Sequence, residues 1–179
     1  TDNPTAWQEH VYTGDDYLQK MLEEKKGNVV VLAGNNKQKT AFINLAVNAG
    51  FNVLADKPMA IDKNGFDLLE RSFADAKEKN VLLYDIMTER SQATNALQRA
   101  LSMMPAVFGK LKKGTLDDPA VIKESVHHYF KQVSGKPLIR PAWYFDIKQE
   151  GEGIVDVTTH LADLVQWECF PDTKLNYKK

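Results

Sequence analysis

Towards the C-terminal end of this 179-residue chain, Gly151-Glu-Gly-Ile-Val-Asp156-Val-Thr-Thr159-His160-Leu-Ala-Asp163 sets acids and an imidazole at helical spacing. On a helix advancing about 100° per residue, Asp156, His160, Asp163 and Trp167 fall in one narrow stripe, while Ile154, Val157, Leu161, Leu164 and Val165 form a broader apolar face. A carboxylate four residues before an imidazole can meet it across one turn. It then favours the protonated ring and orients it, which suits a general base. The same pattern also describes an amphipathic helix with a solvated polar side. Trp167, set beside two acids and a histidine, is the feature that favours a site.

Two turns earlier in the chain carry the other candidate groups. Ala55-Asp56-Lys57-Pro58 follows a short apolar run, and the proline bars Asp56-Lys57 from helix and biases Lys57 towards extended backbone. The Lys57 ammonium can then project over the edge of a sheet; the competing reading is a surface turn with a solvated lysine. Gly34-Asn35-Asn36-Lys37-Gln38-Lys39-Thr40 lies where a strand gives way to a helix. Such carboxyl-end turns face the ligand crevice of a parallel sheet, and a helix start offers free N–H groups to an anion. The turn is superficially like a phosphate-binding P-loop, but the second glycine is missing and the loop is one residue short. The residues of this turn by themselves favour a polar turn without a ligand. His127 and His128, in a segment read as a strand, would point to opposite faces and cannot chelate one metal from one side. No Ser-His-Asp spacing or G-x-S-x-G elbow is present.

The elements that must position these groups follow a βαβ rhythm from Val29 to Tyr84. Thr13 to Asp16 reads as a capping box opening a helix with Tyr17, Leu18, Met21 and Leu22 on one face and Gly27 as its stop. Strands are predicted at Asn28–Ala33, Phe51–Ala55 and Val81–Tyr84. Between them, one helix carries Phe42, Leu45, Ala46 and Ala49 inward and stops at Gly50. A second, Asn64–Lys79, carries Phe66, Leu69, Phe73 and Ala76. After Asp85 the spacing predicts one long helix, Glu89 to about Lys113, bent at Pro105 and ending at Gly114, with Ala93, Leu97, Ala100, Leu101 and Met104 inward. Thr115–Pro119 is a turn-rich linker, Val121–Val133 and Ala142–Ile147 are strand candidates, and a last helix spans Gly153–Glu168.

Composition narrows the chemistry. Lys and Arg total 23 against 24 for Asp and Glu, a net charge of -1, which argues against nucleic acid as the main partner. With one cysteine, Cys169, neither a disulfide framework nor a zinc ligand set exists in the sequence. No window approaches the roughly 18–20 apolar residues of a membrane span, so a soluble protein is expected. The first residues hold no initiator Met and no secretory signal. The expectation is therefore a piece of a longer protein, cytoplasmic, with an exported parent left open.

Taken in order, Val29-Val-Val-Leu-Ala-Gly-Asn-Asn36, Asp56-Lys57-Pro58 and Gly151 to Asp163 resemble three motifs of one family. These are its V-x-I-A-T-P-N turn, its E-K-P strand end and its G-G-G-x-x-x-D-x-x-x-H-x-x-D stretch. The chain thus resembles the glucose-fructose oxidoreductase / inositol dehydrogenase (Gfo/Idh/MocA) family, NAD(P)-dependent oxidoreductases of sugars and cyclitols, over roughly residues 11–170.

The resemblance implies an α/β fold in which residues 1–87 are the later βα units of an incomplete Rossmann-type sheet and residues 88–179 begin an α+β substrate domain. It implies that Lys57, Asp156 and His160 are catalytic, His160 being the base. It places Gly34, Asn35, Asn36, Asp56, Lys57 and Pro58 against NAD or NADP, and Lys57, Thr159, His160 and Asp163 against a carbohydrate or polyol. No metal is implied, and a homo-oligomer is. This chain departs from the motifs at Asn35 and Lys39, which replace Pro and His, at Asp56 for Glu, and at Glu152 between the glycines. No G-x-G-x-x-G follows a strand, so the primary dinucleotide fingerprint is absent and the segment alone is expected to be inactive. Its sheet edges are expected to favour self-association. Three other readings stand beside this one: a non-catalytic nucleotide- or sugar-binding module, an NAD-dependent glycosidase-type member, and a P-loop enzyme using Lys39.

Overall fold

Val29–Leu32, a run of four apolar residues, forms β1 in the computed structural model, which describes residues 10–124 and 130–176. It pairs in parallel with β2 (Asn52–Ala55), and β2 with β3 (Leu83–Asp85), in the order β1-β2-β3. Val30 stands opposite Val53, and Val53 opposite Leu83, so the turns after β1, β2 and β3 all emerge at one end of the sheet. Parallel strands need crossovers, and these are α2 (Lys39–Asn48) and α3 (Lys63–Glu78). Val30, Ile43, Ala46, Val47, Phe51, Val53, Ala55, Leu69 and Ala76 close into one buried cluster between the sheet and these helices.

Both helices are rotated from the predicted faces. In α2 the buried stripe is Lys39, Thr40, Ile43, Ala46 and Val47, with Leu45 exposed. In α3 it is Leu69, Ser72 and Ala76, with Phe66 and Phe73 exposed on the flank. The reason is close helix–helix approach: a Cβ at Gly65 would lie 3.3 Å from Thr40 Oγ1, so small residues fill the α2–α3 seam and the rings stay outside it. Asp62 caps α3 by accepting from Gly65 N at 2.7 Å, a device worth about 1 kcal/mol. Ahead of the sheet, α1 (Tyr17–Glu24) forms without the predicted capping box. Asp16 makes no capping bond and pairs with Lys20 at 2.9 Å, and the helix stops at left-handed Lys25 (φ 42°) rather than at Gly27.

After β3 the predicted long helix is broken. A 3-10 turn (Thr88–Ser91) leads into α4 (Ala93–Ser102) and α5 (Pro105–Phe108). Met104 is extended, and Pro105, with no N–H to donate, begins a new helix at its first position. The positions expected inward are not buried; Leu97 is 60% exposed. Within the predicted strand Val121–Val133, the described residues form only β4 (Gln132–Val133), paired antiparallel with β5 (Lys136–Pro137). Ser134 and Gly135 join them with φ of 51° and 75°, the primed-turn geometry a two-residue hairpin favours. His127 and His128 lie outside the described residues. The predicted strand Ala142–Ile147 is a second 3-10 turn, Ala142–Phe145, followed by α6 (Ile147–Glu150), which Asp146 caps through Lys148 N at 2.9 Å. The last helix, α7, spans Gly153–Cys169, one residue beyond the predicted end. No helix among the described residues is long and apolar enough to cross a membrane.

Candidate functional site

Lys57 leaves the end of β2 in a turn built by its neighbours. The Asp56 carboxylate accepts from Lys57 N at 2.9 Å, the Lys57–Pro58 peptide is cis, and Pro58 is buried. The Lys57 ammonium crosses to α7, where it donates to Asp156 Oδ1 at 2.5 Å and to the Asp156 carbonyl at 3.1 Å. Asp156 lies in the first turn of α7, where the helix dipole also favours a carboxylate. Its second oxygen accepts from the Tyr144 hydroxyl at 3.0 Å. Burial by itself would raise the Asp156 carboxyl, but the Lys57 ammonium, the Tyr144 hydroxyl and Arg140 outweigh it and hold the group below the usual carboxylate range. Burial, followed by the bond to that carboxylate, pushes the Tyr144 phenol up. Arg140 lies over the Tyr144 ring at 4.1 Å.

Gly151 sets the approach of α7 to this turn. Its φ is 87°, and a Cβ there would lie 2.5 Å from Val155 Cγ2 and 3.0 Å from Ile61 Cγ2, in the loop that follows Lys57. At Gly153, by contrast, a Cβ would meet nothing within 4 Å. Only the first glycine of the pair is required by the packing.

The stripe along α7 is neither free nor solvated. Its members are engaged by side chains from other parts of the fold, His160 and Asp163 by the same 3-10 turn. His160, expected against Asp156, has its Nδ1 2.7 Å from Glu89 Oε2 of the first 3-10 turn, off the line of a hydrogen bond and otherwise unpartnered. The physical reason is competition, because both Asp156 oxygens are already engaged by Lys57 and Tyr144. Asp163 accepts two bonds from Arg90, one from Nε at 2.8 Å and one from Nη2. Thr159 donates its hydroxyl to Val155 O at 2.5 Å. Trp167 packs under the Arg99 guanidinium at 4.8 Å, so its place in the stripe reflects a cation–π contact with α4.

The turn after β1 divides into an open and a closed part. Gly34 and Asn35 line a cleft of about 550 Å³ together with Leu32, Lys37 and Gln149, and Gly34 has open space where a side chain would be. Asn36 faces inward. Its Nδ2 donates to Glu150 Oε2 at 2.7 Å and its Oδ1 accepts from Lys39 Nζ at 2.6 Å. Lys39, 2% exposed, also donates to the Asp56 carbonyl at 3.1 Å and so ties the two turns together. Burial pushes its ammonium below the ordinary lysine value despite nearby Asp56 and Glu150. This arrangement overturns the P-loop reading. The lysine is engaged inside the protein, and the Glu150 carboxylate already accepts from Asn36 N at 3.4 Å.

Tyr144, Glu150 and Glu89 belong to the site and were missed in the sequence. Tyr144 sits in a 3-10 turn whose composition resembles a strand, Glu150 ends a one-turn helix with no apolar period to reveal it, and Glu89 opens the stretch whose spacing predicts one long helix. Among the described residues no group of three or more His, Cys, Asp or Glu side chains is placed to hold a metal.

Residues 97–179 match the family described as "Putative oxidoreductase C terminal domain". The crystal structure of "a putative oxidoreductase" from Parabacteroides merdae is 63% identical, with a TM-score of 0.91 over 100% of this chain; this chain spans 41% of that one. GenD2 from gentamicin A biosynthesis, solved in complex with NAD, is 16% identical with a TM-score of 0.62, over 84% of this chain and 38% of its own. Levoglucosan dehydrogenase, in complex with NADH and levoglucosan, is 18% identical with a TM-score of 0.56, over 84% and 37%. At these identities the last two share the fold. No curated protein sequence matches the chain.

Proposed function

We propose that this chain belongs to the Gfo/Idh/MocA-type oxidoreductases and is the central part of an enzyme moving hydride between NAD or NADP and a hydroxyl of a sugar or polyol. The observation that carries the reading is the link from Lys57 Nζ to the Asp156 carboxylate at 2.5 Å, across 99 residues of sequence. It brings a cation from a sheet's carboxyl end onto the helix that carries His160, at the sheet end where the turn after β1 opens a cleft.

The residues present fit a dinucleotide's nicotinamide end. Gly34 and Asn35 offer open backbone and an amide to it, with Leu32 as an apolar wall. When bound, the nicotinamide supplies the hydride chemistry. His160 takes the hydroxyl proton in oxidation and returns it in reduction. Lys57 holds the substrate oxygen and stabilises the negative charge that develops there. Asp156 holds Lys57, and Tyr144 holds Asp156. Thr159 and Asp163, each with a partner inside the chain, follow Lys57 and His160 as substrate contacts. The domain boundary in this reading falls at residue 87, just before the turn that carries Glu89.

The test uses the complete reading frame around the segment. Mass spectrometry of the denatured protein is expected to identify released NAD or NADP. Lys57→Ala and His160→Ala are expected to lower kcat by about 10²–10⁴, the usual worth of a positioned acid or base, with folding intact by circular dichroism. Unchanged turnover in both variants refutes the assignment. No nucleotide released, and none bound on titration with NADH and NADPH, makes the protein a binding module.

A further inference from the structure

The first 3-10 turn, Thr88–Ser91, grips α7 with two consecutive side chains. Glu89 reaches His160, and Arg90 binds Asp163, three residues further along the same helix. Beside His160 Nδ1, a ring nitrogen without measurable solvent contact, stands a carboxylate oxygen at 2.7 Å. The oxygen lies off the line of a hydrogen bond, but at that distance a nitrogen lone pair is repelled by the carboxylate and an N–H is attracted to it. We propose that Glu89 is a positioning residue which fixes the proton of the neutral His160 ring on Nδ1 and leaves Nε2 as the proton-accepting atom.

Glu89 is itself held in place. The Thr88 hydroxyl donates to the same Oε2 at 3.0 Å, and Asn95 Nδ2 donates to the Glu89 carbonyl at 2.8 Å. The helix's own carboxylates are engaged elsewhere, Asp156 by Lys57 and Tyr144, and Asp163 by Arg90. The residue that sequence spacing offers for orienting the imidazole, Asp156, is therefore not the one that orients it. A ring whose Nδ1 lies against a carboxylate presents a defined tautomer to whatever lies at Nε2, the arrangement a general base requires.

The catalytic consequence rests on the proposed role of His160 as base; the tautomer does not. The complete protein, labelled with ¹⁵N-histidine, is examined by long-range ¹H–¹⁵N correlation, with His160 assigned from the signal lost in His160→Gln. The wild type is expected to show a protonated Nδ1 and a bare Nε2. Glu89→Gln keeps an oxygen acceptor and is expected to keep that tautomer, while Glu89→Ala moves the ring to the Nε2–H form that free imidazole side chains favour. In kinetics, Glu89→Ala lowers kcat tenfold or more, within the ~10²–10⁴ that a base supplies, leaves KM nearly unchanged, and is partly rescued by Glu89→Gln. An Nε2–H tautomer in the wild type overturns the proposal, and so does a tautomer that Glu89→Ala leaves unchanged. If Glu89→Ala fails to fold, the wild-type spectrum still decides. Unchanged turnover in His160→Ala overturns the base reading alone, because the spectrum reports on Glu89 independently of activity.

Discussion

The sheet with its two crossover helices and the segment from α4 to α7 are built on different principles. Residues 30–76 contribute nine buried apolar side chains in one cluster, whereas from α4 onward the described residues contribute one, Leu164. The first region stands on burial, at about 1.5–3 kcal/mol for each large side chain. The second is fixed to it at a few polar points, Asn36 to Glu150 and Lys57 to Asp156, and Arg90, in the turn between the two regions, binds Asp163. Such partly exposed pairs contribute little net stability, since desolvation offsets most of their attraction. What they supply is geometry, and the candidate site is made of these same pairs. Substitutions in the sheet core should therefore act on folding, and substitutions at the junction on function.

The comparison is broken or sharpened most strongly by Ile43→Ala, which empties a fully buried position. It should cost about 2–5 kcal/mol in urea unfolding of the complete protein, while Leu97→Ala, 60% exposed on α4, stays within about 0.5 kcal/mol. Equal costs would mean that α4 is as buried in the complete protein as α2 is.

Next in size is Gly151→Ala. With φ at 87° and Ile61 in the way, it should lose about 1–3 kcal/mol and also lower turnover, because α7 must move away from the loop after Lys57. Full activity in that variant would show that the approach of α7 is not what positions Asp156.

Asp156→Asn should show a pH signature. The carboxyl is lowered in the folded state, so the unfolded chain takes up the proton first. The stabilisation from this group is then present above the ordinary carboxylate value of about 4 and is lost as pH falls through the lowered folded value. Urea titrations should find the wild type's advantage over the variant greatest near neutrality and vanishing in acid. An advantage that grows as pH falls would contradict the pairing with Lys57. The smallest effect is expected from Gly153→Ala. With open space around it, this change should raise stability by about 0.5–1 kcal/mol, opposite in sign to its neighbour two residues away, as a small rise in Tm.

The three strands, α2, α3 and α7 were legible because short β-branched runs and a 3.6-residue period are local properties of the chain. So were the residue types able to do the chemistry: Lys57 before a proline, and an acid and an imidazole one turn apart. What local pattern left open is each element's rotation and each charge's partner. Phe66 and Phe73 lie outside the core because Gly65 lets α3 approach α2 too closely for rings, a fact about two helices rather than one. Asp156 binds Lys57 and Tyr144 instead of His160, and Glu89 meets the imidazole, because side chains from four elements compete for the same few oxygens. The sequence by itself determined the three parallel strands, their two crossover helices and α7, and which groups can carry a proton. The tertiary structure alone decided which of those groups touch, since contacts between distant residues depend on how the elements pack.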